Sequence, residues 1–377
     1  MSKIEKMIAK LCPNGVTAKE IEAVLSYERP DRYIVKSTRY NNEYAIPVLT
    51  AGDTFVLGYT DEEDGVYQAS TESPVIIFDD FTTSFHWVDF PFKVKSSAMK
   101  MLTPKDDVNF KYIYYVMKCI SYKPFSHARQ WISVYQKFKI PVPPIEIQHE
   151  IVKILDKFTS LQAELQAELQ ARRAQYNHYR DALLAPSSNT VYKTLGQIGK
   201  RNKGTNITAA EMKELHCDGA PIRIFAAGNT IADVNEGVVP ESNVIRVPSI
   251  IVKSRGYIGF EYCTQPFSHK NEMWSYTITD KDVNQKYVYY YLTTQVNKLQ
   301  ELARCKSVKL PQLSTPDTDN LKIPLPPIAE QNRIVEILAR FDTFVNDISI
   351  GLPAEIDARK QQYEYYRNKL LTFDEAS

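Results

Sequence analysis

Several polar segments of the chain carry side chains that could bind nucleic acid. Arginine and lysine stand in them beside asparagine, glutamine, serine, threonine and aromatic residues, with little apolar content to bury. Basic groups hold phosphates, and guanidinium and amide groups form paired hydrogen bonds with base edges in a major groove. A solvated turn is the alternative for any single segment. The segments are 28–42, 79–87 and 123–131 in the first part of the chain, and 199–206, 253–259, 265–272 and 303–309 in the second.

Within these segments we select cationic, amide, hydroxyl and imidazole side chains as candidate DNA contacts. Arginine and glutamine would read guanine and adenine edges, whereas lysine more often holds a phosphate. In the first part the candidates are Arg29, Arg32, Lys36, Arg39, Asn41, Thr82, Ser84, His86, Arg129 and Gln130. In the second part they are Arg201, Lys203, Asn206, Lys253, Arg255, His269, Lys270, Arg304, Lys306 and Lys309.

Motifs of catalysis and cofactor binding are missing from the sequence. An adenine methyltransferase would carry an acid or amide before a Pro-Pro-aromatic motif, but valine and leucine precede the two Pro-Pro pairs found here. No G-x-x-x-x-G-K-[ST] phosphate loop occurs. Asp79 and Asp80 could bind Mg²⁺, yet Lys253 and Ser254 occupy that place in the second part, which favours a turn or a contact with a base. We therefore expect a protein with no catalytic residues, metal or cofactor of its own.

Length and composition narrow the class of protein. A chain of 377 residues is expected to form two or more domains. The formal charge of +1 argues against a uniformly basic protein but allows a basic patch on one face. No apolar run reaches the roughly 18 residues of a membrane span, and the amino terminus lacks the apolar core of a secretion signal. The five cysteines form no C-x-x-C pair. These features predict a cytoplasmic protein with reduced thiols and no membrane partner.

Two stretches of twenty residues repeat one another. Residues 139–158 read KIPVPPIEIQHEIVKILDKF and residues 322–341 read KIPLPPIAEQNRIVEILARF, and they agree at 12 of 20 positions without a gap. Such a repeat indicates that the chain consists of two similar halves. Each Pro-Pro pair suits the first turn of a helix, where the N–H that proline lacks would be unpaired in any case.

A long helix is predicted after each Pro-Pro pair. In the first helix, apolar residues recur at heptad spacing from Ile151 to Leu183, and the sequence LQAELQAELQA consists of strong helix formers. In the second helix the same pattern meets Gly351 and Pro353. A kink or break is therefore expected near 350–353.

Each half also contains a globular block that mixes strands and helices. Short β-branched runs such as 75–78 and 249–252 indicate strands. The tyrosine-rich segments 108–117 and 283–292 have the periodicity of an amphipathic helix. The predicted fold class is therefore mixed α/β. The predicted limits are 1–143 for the first globular domain, 144–185 for the first long helix, 186–190 for a linker, 191–326 for the second globular domain, and 327–373 for the second, kinked helix.

The repeated P-x-P-P-x-x-x-Q-x-x-I-V-x-I-L pattern, with a globular block before each copy and a long helix after it, resembles the specificity subunit of type I restriction-modification systems. The resemblance covers essentially the whole chain. It implies two α/β target-recognition domains related by a pseudo-twofold axis and separated by two antiparallel helices. Each domain would read one half of a bipartite target in double-stranded DNA, and the helices would set the unspecified spacer between the halves.

The resemblance also implies partner subunits that supply the chemistry. Two modification subunits would bring S-adenosylmethionine and methylate an adenine in each half-site. Restriction subunits that hydrolyse ATP in the presence of Mg²⁺ and cleave DNA could join them, and the sequence leaves their presence open. Candidates for contact with the modification subunits lie near the helix ends, although internal packing is equally open for each of them. They are Tyr176, Tyr179, Tyr363 and Tyr366.

Two other classes of protein remain as alternatives. A stand-alone DNA methyltransferase or nuclease would turn over substrate with its cofactor alone. A coiled-coil adaptor without DNA affinity would use the long helices only. The missing catalytic motifs argue against the first alternative, and the polar segments described above argue against the second.

Overall fold

The chain folds into two compact units, which we describe from a computed structural model. The structure describes residues 3–52, 54–125, 127–188, 190–228, 230–307, 309–346 and 351–376. The first unit comprises Met1–Gln166 with Ile356–Ser377, and the second comprises Ala167–Glu355. These units group each stretch of long helix with the globular part on which it packs. The domain limits predicted from the sequence separate recognition domains from long helices, whereas the compact units do not. The predicted limits therefore stay predictions.

The first unit contains a four-stranded sheet, a three-stranded sheet and a two-stranded ladder. In chain order its elements are α1 (Lys3–Leu11), β1 (Ala18–Glu20), α2 (Ile21–Val24), β2 (Leu25–Glu28), a 3-10 turn (Pro30–Tyr33), β3 (Ile46–Leu49), β4 (Val56–Thr60), β5 (Val75–Asp79), β6 (Phe85–Val88), β7 (Lys93–Val94), β8 (Met99–Pro104), α3 (Phe110–Met117), a 3-10 turn (Tyr135–Lys137) and β9 (Lys139–Pro141). The larger sheet has the antiparallel order β2-β8-β5-β6, the smaller sheet has the order β4-β3-β7, and β1 pairs with β9. The long helix α4 (Ile145–Leu183) follows.

The second unit repeats this plan with a few additional helices. Its elements are β10 (Val191–Thr194), α5 (Leu195–Ile198), β11 (Gly199–Asn202), α6 (Ala209–Glu214), β12 (Ile222–Phe225), β13 (Ile231–Val234), a 3-10 turn (Glu241–Asn243), β14 (Ser249–Lys253), β15 (Gly259–Cys263), β16 (Phe267–His269), β17 (Trp274–Ile278), α7 (Gln285–Thr294), α8 (Val296–Lys306), α9 (Thr315–Asp319), β18 (Lys322–Leu325) and α10 (Ile328–Asn346). The strand orders β11-β17-β14-β15, β13-β12-β16 and β10-β18 match those of the first unit one for one. The helix α11 (Leu352–Leu371) ends the chain and lies largely in the first unit.

The predicted local elements are confirmed. The apolar runs 75–78 and 249–252 form β5 and β14, and the tyrosine-rich segments form α3 and α7. Both helices begin after an asparagine cap, because the side chain of Asn109 accepts a hydrogen bond from Tyr112 N–H and that of Asn284 accepts one from Tyr287 N–H. Each helix then packs its apolar face on the four-stranded sheet of its own unit. The core of the first unit includes Ile76, Phe78, Leu102, Tyr112, Ile113 and Val116, and that of the second includes Ile250, Val252, Tyr276, Tyr287, Val288 and Leu292.

The repeated twenty residues build the same polar connection in both units. The buried side chain of Gln148 accepts a hydrogen bond from Asn109 N–H at 2.9 Å and donates one to the carbonyl of Pro143 at 2.7 Å. Gln331 makes the equivalent bonds at 2.9 and 2.8 Å in the second unit. A buried amide without partners would cost about 1–3 kcal/mol. This connection therefore explains why glutamine follows both Pro-Pro pairs at the same spacing.

The two predicted long helices differ in continuity. Helix α4 is a single helix of 39 residues, or about 58 Å, and the boundary between the units falls within it. The second helix is described as two stretches, α10 up to Asn346 and α11 from Leu352, and Gly351 before α11 is a bend. Pro353 stands in the first turn of α11, where its missing N–H removes no helical bond. The bend at Gly351 agrees with the kink expected near 350–353, of which Ile350 lies outside the described residues. Among the described helices, none has the length and apolar character needed to cross a membrane.

Candidate nucleic-acid interface

One end of the four-stranded sheet in the first unit gathers the predicted loops. Strands β2 and β5 end there, at Glu28 and Asp79, and strands β6 and β8 begin there. The segments 28–42 and 79–87 therefore leave the sheet at the same end. We call this end of the sheet, with the loops that leave it, the loop end.

The third predicted segment of the first unit is attached to the loop end through Asp80. This carboxylate is only 1% exposed and accepts a hydrogen bond from Trp131 N–H at 2.8 Å. The Asp80 carbonyl also accepts one from Gln130 N–H at 2.7 Å. Lys100, equally buried, places its ammonium 3.2 Å from the carboxylate, and Arg129 has a guanidinium nitrogen at 3.8 Å. Asp80 is therefore a structural hub that joins the segments 79–87 and 123–131.

The hydroxyl and imidazole candidates of the first unit hold the loop end together. Ser84 donates a hydrogen bond to the carbonyl of Ala51 at 2.5 Å, and Nε2 of His86 lies 3.0 Å from the carbonyl of Gly52. The hydroxyl groups of Ser84 and Thr82 are 2.6 Å apart. Ser84 and His86 are half-buried, whereas Thr82 is exposed. Of these three candidates, Thr82 is thus the one best placed to reach DNA.

The segment 28–42 is held by its backbone and exposes its cationic side chains. The carboxylate of Glu62 accepts hydrogen bonds from the N–H groups of Lys36 at 2.9 Å and Ser37 at 2.7 Å, and it lies 3.2 Å from the buried ammonium of Lys93. Burial alone would raise the pKa of Glu62, but these hydrogen bonds and the ammonium lower it below its ordinary value. The candidate side chains of this segment stay exposed. They are Arg29, which pairs with Asp31, and Arg32, Lys36, Arg39 and Asn41.

The second unit has the same loop end. Strands β11 and β14 end there, and β15 and β17 begin there. The segments 199–206 and 265–272 meet at this end, since Thr205 N–H donates to the carbonyl of His269 at 2.7 Å. Gly204 passes so close to this carbonyl that a Cβ would lie 2.6 Å from the oxygen, so a side chain is excluded at this position. The segment 253–259 joins the residues after α8, because the carbonyl of Ser254 accepts a hydrogen bond from Leu313 N–H at 2.8 Å.

Half of the cationic candidates in the second unit form ion pairs within the protein. Lys253 lies 2.9 Å from Glu261 and Lys270 lies 3.1 Å from Glu272. Arg201 pairs with Asp319, and Lys306 pairs with Asp317. Such pairs orient the cations but leave part of each side chain in solvent, where a phosphate could compete for it. The remaining exposed candidates of the second unit are Lys203, Asn206, Arg255, Arg304 and Lys309.

Two candidates are buried, and their predicted contact with DNA needs correction. Gln130 is 4% exposed, accepts a hydrogen bond from the Tyr122 hydroxyl at 2.8 Å and donates one to the carbonyl of Ala128 at 2.7 Å. His269 is fully buried, and its Nε2 lies 3.2 Å from the hydroxyl of Ser275. Burial also lowers the pKa of His269 and keeps the ring neutral. Neither side chain can touch DNA in this structure, and we assign both to structural roles.

Sequence reasoning missed the role of Asp80 and of its partner Lys100. Lys100 stands between Met99 and Met101 in an apolar strand. A lysine within such an apolar run indicates a buried charge that needs a partner of opposite charge, so this pattern could have predicted the pair. The metal site considered for Asp79 and Asp80 receives no support. Among the described residues, no group of three or more His, Cys, Asp or Glu side chains could hold a metal ion.

The tyrosines predicted to contact partner subunits differ in exposure. Tyr176 is buried in the core of the second unit, and Tyr363 packs against the core of the first. Tyr179 and Tyr366 are exposed on one side, while their rings contact Phe341 and Phe158 within their own units. Internal packing, which the sequence left open, therefore accounts for Tyr176 and Tyr363.

A cavity at the start of a long helix is present in both units. In the first unit it measures about 340 Å³ and lies beside the first residues of α4, and in the second it measures about 560 Å³ and lies beside those of α10. The register of the ladders β1-β9 and β10-β18 makes Lys19 equivalent to Lys193. The two cavities have identical residues at six equivalent positions. These are Lys19, Asp107, Pro143, Pro144, Ile145 and Gln148 in the first, and Lys193, Asp282, Pro326, Pro327, Ile328 and Gln331 in the second.

Comparison with known proteins identifies the family. The model of the type I restriction modification DNA specificity domain matches residues 13–172 and again residues 188–358. The chain belongs to this family. The match confirms both the resemblance and the twofold internal repeat that the sequence predicted, and the mixed α/β fold class is confirmed as well.

One relative and one solved structure of this family match nearly the whole chain, and another relative matches somewhat more than half of it. The chain is 40% identical to the Escherichia coli type I restriction enzyme EcoR124I/EcoR124II specificity subunit, over 99% of this chain and 97% of the relative. It is 33% identical to the Escherichia coli type I restriction enzyme EcoprrI specificity subunit, over 57% of this chain and 55% of the relative. The crystal structure of a type I restriction-modification S subunit from M. genitalium shares its fold, with a TM-score of 0.62 at 17% identity over 94% of this chain and 96% of that one.

Proposed function

We propose that this chain is the DNA-recognising specificity subunit of a type I restriction-modification complex, and that each unit reads one half of a bipartite target. One observation carries the proposal. The loop ends of two equivalent sheets gather basic, amide and hydroxyl side chains on loops whose sequences differ between the units. A shared framework with unlike loops fits two reading domains for two unlike half-sites.

The exposed side chains divide by chemistry into two roles. Guanidinium groups such as those of Arg39, Arg129 and Arg255 would read base edges, where a good bidentate pair is worth about 1–3 kcal/mol of discrimination. Exposed lysines such as Lys203 and Lys309 would hold phosphates and contribute to affinity without sequence preference. Asp80 supports this division, because it orients Arg129 from a buried position and leaves the rest of the guanidinium exposed.

Mapping of N6-methyladenine in the DNA of cells that express the complex tests the proposal. We expect methylation at one motif with two specific halves and an unspecified gap. Purified complex should then bind this motif more tightly than a scrambled duplex at equal salt. A continuous motif without a gap, or equal binding to both duplexes, would contradict the proposal.

The helix α4 is proposed to set the gap between the half-sites. Its LQAE units each add four residues, or about 6 Å of helix, which is on the order of two base-pair rises along DNA. Insertion of one further LQAE after Glu168 is therefore expected to shift the preferred gap by one or two base pairs without altering either half-site. Methylation of duplexes with graded gaps measures the shift. An unchanged preferred gap would refute the role of α4, and a four-residue insertion at 186–190 serves as the control.

The methylation and cleavage chemistry is proposed to reside on partner subunits. Two modification subunits would bind S-adenosylmethionine, and any restriction subunits would use ATP and Mg²⁺, while the chain described here would be non-catalytic. The purified chain alone is then expected to transfer no methyl group to its target when S-adenosylmethionine is supplied. Turnover by the chain alone would favour the stand-alone methyltransferase. Action of the complex on cellular DNA also requires the cytoplasmic location predicted from the sequence.

The duplicated cavities are proposed as the docking points of the two modification subunits. Identical residue types at equivalent positions would accept the same partner twice, although the loops elsewhere have diverged. Ile145→Asp and Ile328→Asp each place a charge at the mouth of one cavity. Each variant is expected to reduce the bound modification subunits from two to one, and the double variant to none.

Native mass spectrometry of the co-expressed complex gives the stoichiometry directly. Ile132→Asp is the matched control, because Ile132 is an exposed isoleucine of the first unit outside the cavity. Two modification subunits on the double variant would remove the cavities as docking points, and the tyrosines Tyr179 and Tyr366 would be tested next.

A further inference from the structure

Two aromatic side chains project into solvent at the loop ends. Phe125 is 99% exposed, and Tyr257 is 74% exposed. Phe125 lies in the segment 123–131 of the first unit, and Tyr257 lies in the turn between β14 and β15 of the second. A ring this exposed is available to contact another molecule, and burial of its apolar surface in that contact would be favourable. The place of both rings, among the candidate DNA contacts, indicates what that molecule is.

A buried glutamine closes the loop under Phe125. The hydroxyl of Tyr122 donates a hydrogen bond to the side chain of Gln130 at 2.8 Å, which joins the two ends of the loop that carries Phe125. The backbone of Gln130 is in turn fixed to the carbonyl of Asp80. The buried position of Gln130 thus has a function, since this side chain links Tyr122 and Gln130 on either side of the exposed Phe125.

Another glutamine fixes the turn under Tyr257. The side chain of Gln300 accepts a hydrogen bond from Ile258 N–H at 2.8 Å and donates one to the carbonyl of Gly256 at 3.1 Å. Gly256 N–H donates to the carbonyl of Pro311 at 2.9 Å. Both neighbours of Tyr257 are therefore held by the protein, and its ring is directed outward from a fixed backbone.

Cationic residues stand close to both rings in the sequence. Lys123 and Arg129 belong to the same segment as Phe125, and Arg255 precedes Tyr257 by two residues. The ring of His127, in the same segment as Phe125, stacks on Phe81 at 4.5 Å. An exposed aromatic ring with cationic residues nearby suits a nucleic-acid strand, because a base can stack on the ring while the phosphates meet the cations.

We propose that Phe125 and Tyr257 stack on DNA bases, each in the half-site read by its own unit, and so disturb the base stack next to the bases that are read. The proposal rests on the proposed function and adds a class of contact that hydrogen bonding to base edges does not include. Stacking of a base on an aromatic side chain changes affinity by roughly 5- to 150-fold when the ring is removed. The two rings act independently because they lie in different units.

The test uses the complete methyltransferase complex and its mapped target, with 2-aminopurine placed in turn at each position of both half-sites except the methylated adenine. The wild-type complex is expected to raise the fluorescence at one position of each half-site, where a base leaves the stack. Phe125→Ala should abolish the rise in one half-site and weaken binding by roughly 5- to 150-fold, and Tyr257→Ala should do the same in the other. Phe125→Trp and Tyr257→Phe should keep both properties.

Controls separate this proposal from the proposed function. Tyr365→Ala removes another exposed aromatic ring, 61% exposed on α11, and should change neither quantity. If both alanine variants match the wild type while Arg129→Ala and Arg255→Ala still lose affinity, the stacking proposal is wrong and DNA recognition stands. If they bind DNA normally but carry fewer modification subunits, the rings meet a protein instead, which also overturns it. A wild-type complex that does not distinguish its target from a scrambled duplex would contradict both the proposed DNA recognition and the stacking proposal.

Discussion

Exchange of residues 28–130 for the corresponding segment of a relative with a different target is expected to change one half-site and leave the other intact. The segments 28–42 and 79–87 and all but the last residue of the segment 123–131 lie within this range, and none of the segments of the second unit does. A mismatched base pair costs about 1–3 kcal/mol. Each base pair of the original half-site that the chimera no longer reads should therefore lower binding to the original target by roughly 5- to 150-fold.

The design of this exchange follows from the contacts at its ends. Trp131 stays with the host, and its N–H must find a carboxylate at the position of Asp80, so the donor should carry an aspartate there and a glutamine at the position of Gln130. Methylation mapping reads both half-sites of the chimera at once. Exchange of residues 199–309 is the matched experiment for the other half-site. A chimera in which both half-sites change would contradict independent reading by the two units.

Lys100→Met is expected to destabilise the first unit by about 3–5 kcal/mol. The substitution keeps the length of the side chain but leaves the carboxylate of Asp80 buried without its ammonium partner. Loss of one member of a buried pair leaves an uncompensated charge, which is why the cost is large. Urea unfolding followed by tryptophan fluorescence measures it, because two of the three tryptophans, Trp87 and Trp131, lie in the first unit.

The double variant Asp80→Asn with Lys100→Met tests whether the loss of stability comes from the unpaired carboxylate of Asp80. Removal of both charges relieves the uncompensated carboxylate, so the double variant should be more stable than Lys100→Met alone. Arg340→Met removes a member of an exposed pair with Glu336 and should change stability by no more than about 0.5 kcal/mol. If Lys100→Met unfolds at the same urea concentration as the wild type, Asp80 is not the hub of the loop end.

Asp80 also connects the stability of the first unit with its proposed recognition of DNA. Asp80 fixes the backbone of Gln130 and Trp131 and stands beside Arg129, so a change at Lys100 should disturb the half-site of the first unit before it unfolds the chain. The second unit has Ser254 at the equivalent position. The hydroxyl of Ser254 donates to the carbonyl of Glu272 at 2.6 Å, so a neutral hydrogen bond replaces the buried ion pair.

Several features of this fold could be predicted from local sequence patterns. The heptad spacing and the LQAE repeats predict α4, because helix formation depends on neighbours three and four residues away. The tyrosine-rich periodicity predicts α3 and α7 for the same reason. The bend at Gly351 was expected from the backbone geometry of glycine and proline. The doubled Pro-Pro and glutamine pattern also identified the family, since it repeats within a single chain.

Burial of polar side chains could not be predicted in this way. Gln130 and His269 stand in polar segments, and their residue types suggested exposed DNA contacts. In the fold, His269 lies at the end of β16 and closes against Ser275, and Gln130 is held beside Asp80, which is 50 positions away in the chain. Such contacts depend on which strands become neighbours, and the order of residues within a segment carries no information about that.

The sequence by itself determined the duplicated plan, the class of several elements and the family, because helix periodicity, strand patterning and an internal repeat can each be recognised within the sequence without knowledge of tertiary contacts. Only the tertiary structure decided which candidate DNA contacts lie together and which are buried. It brought strand ends that are far apart in the chain to one end of each sheet, buried Asp80 with Lys100, and left Phe125 and Tyr257 in solvent. These outcomes depend on long-range packing, in which a charge is buried only where a distant partner compensates it.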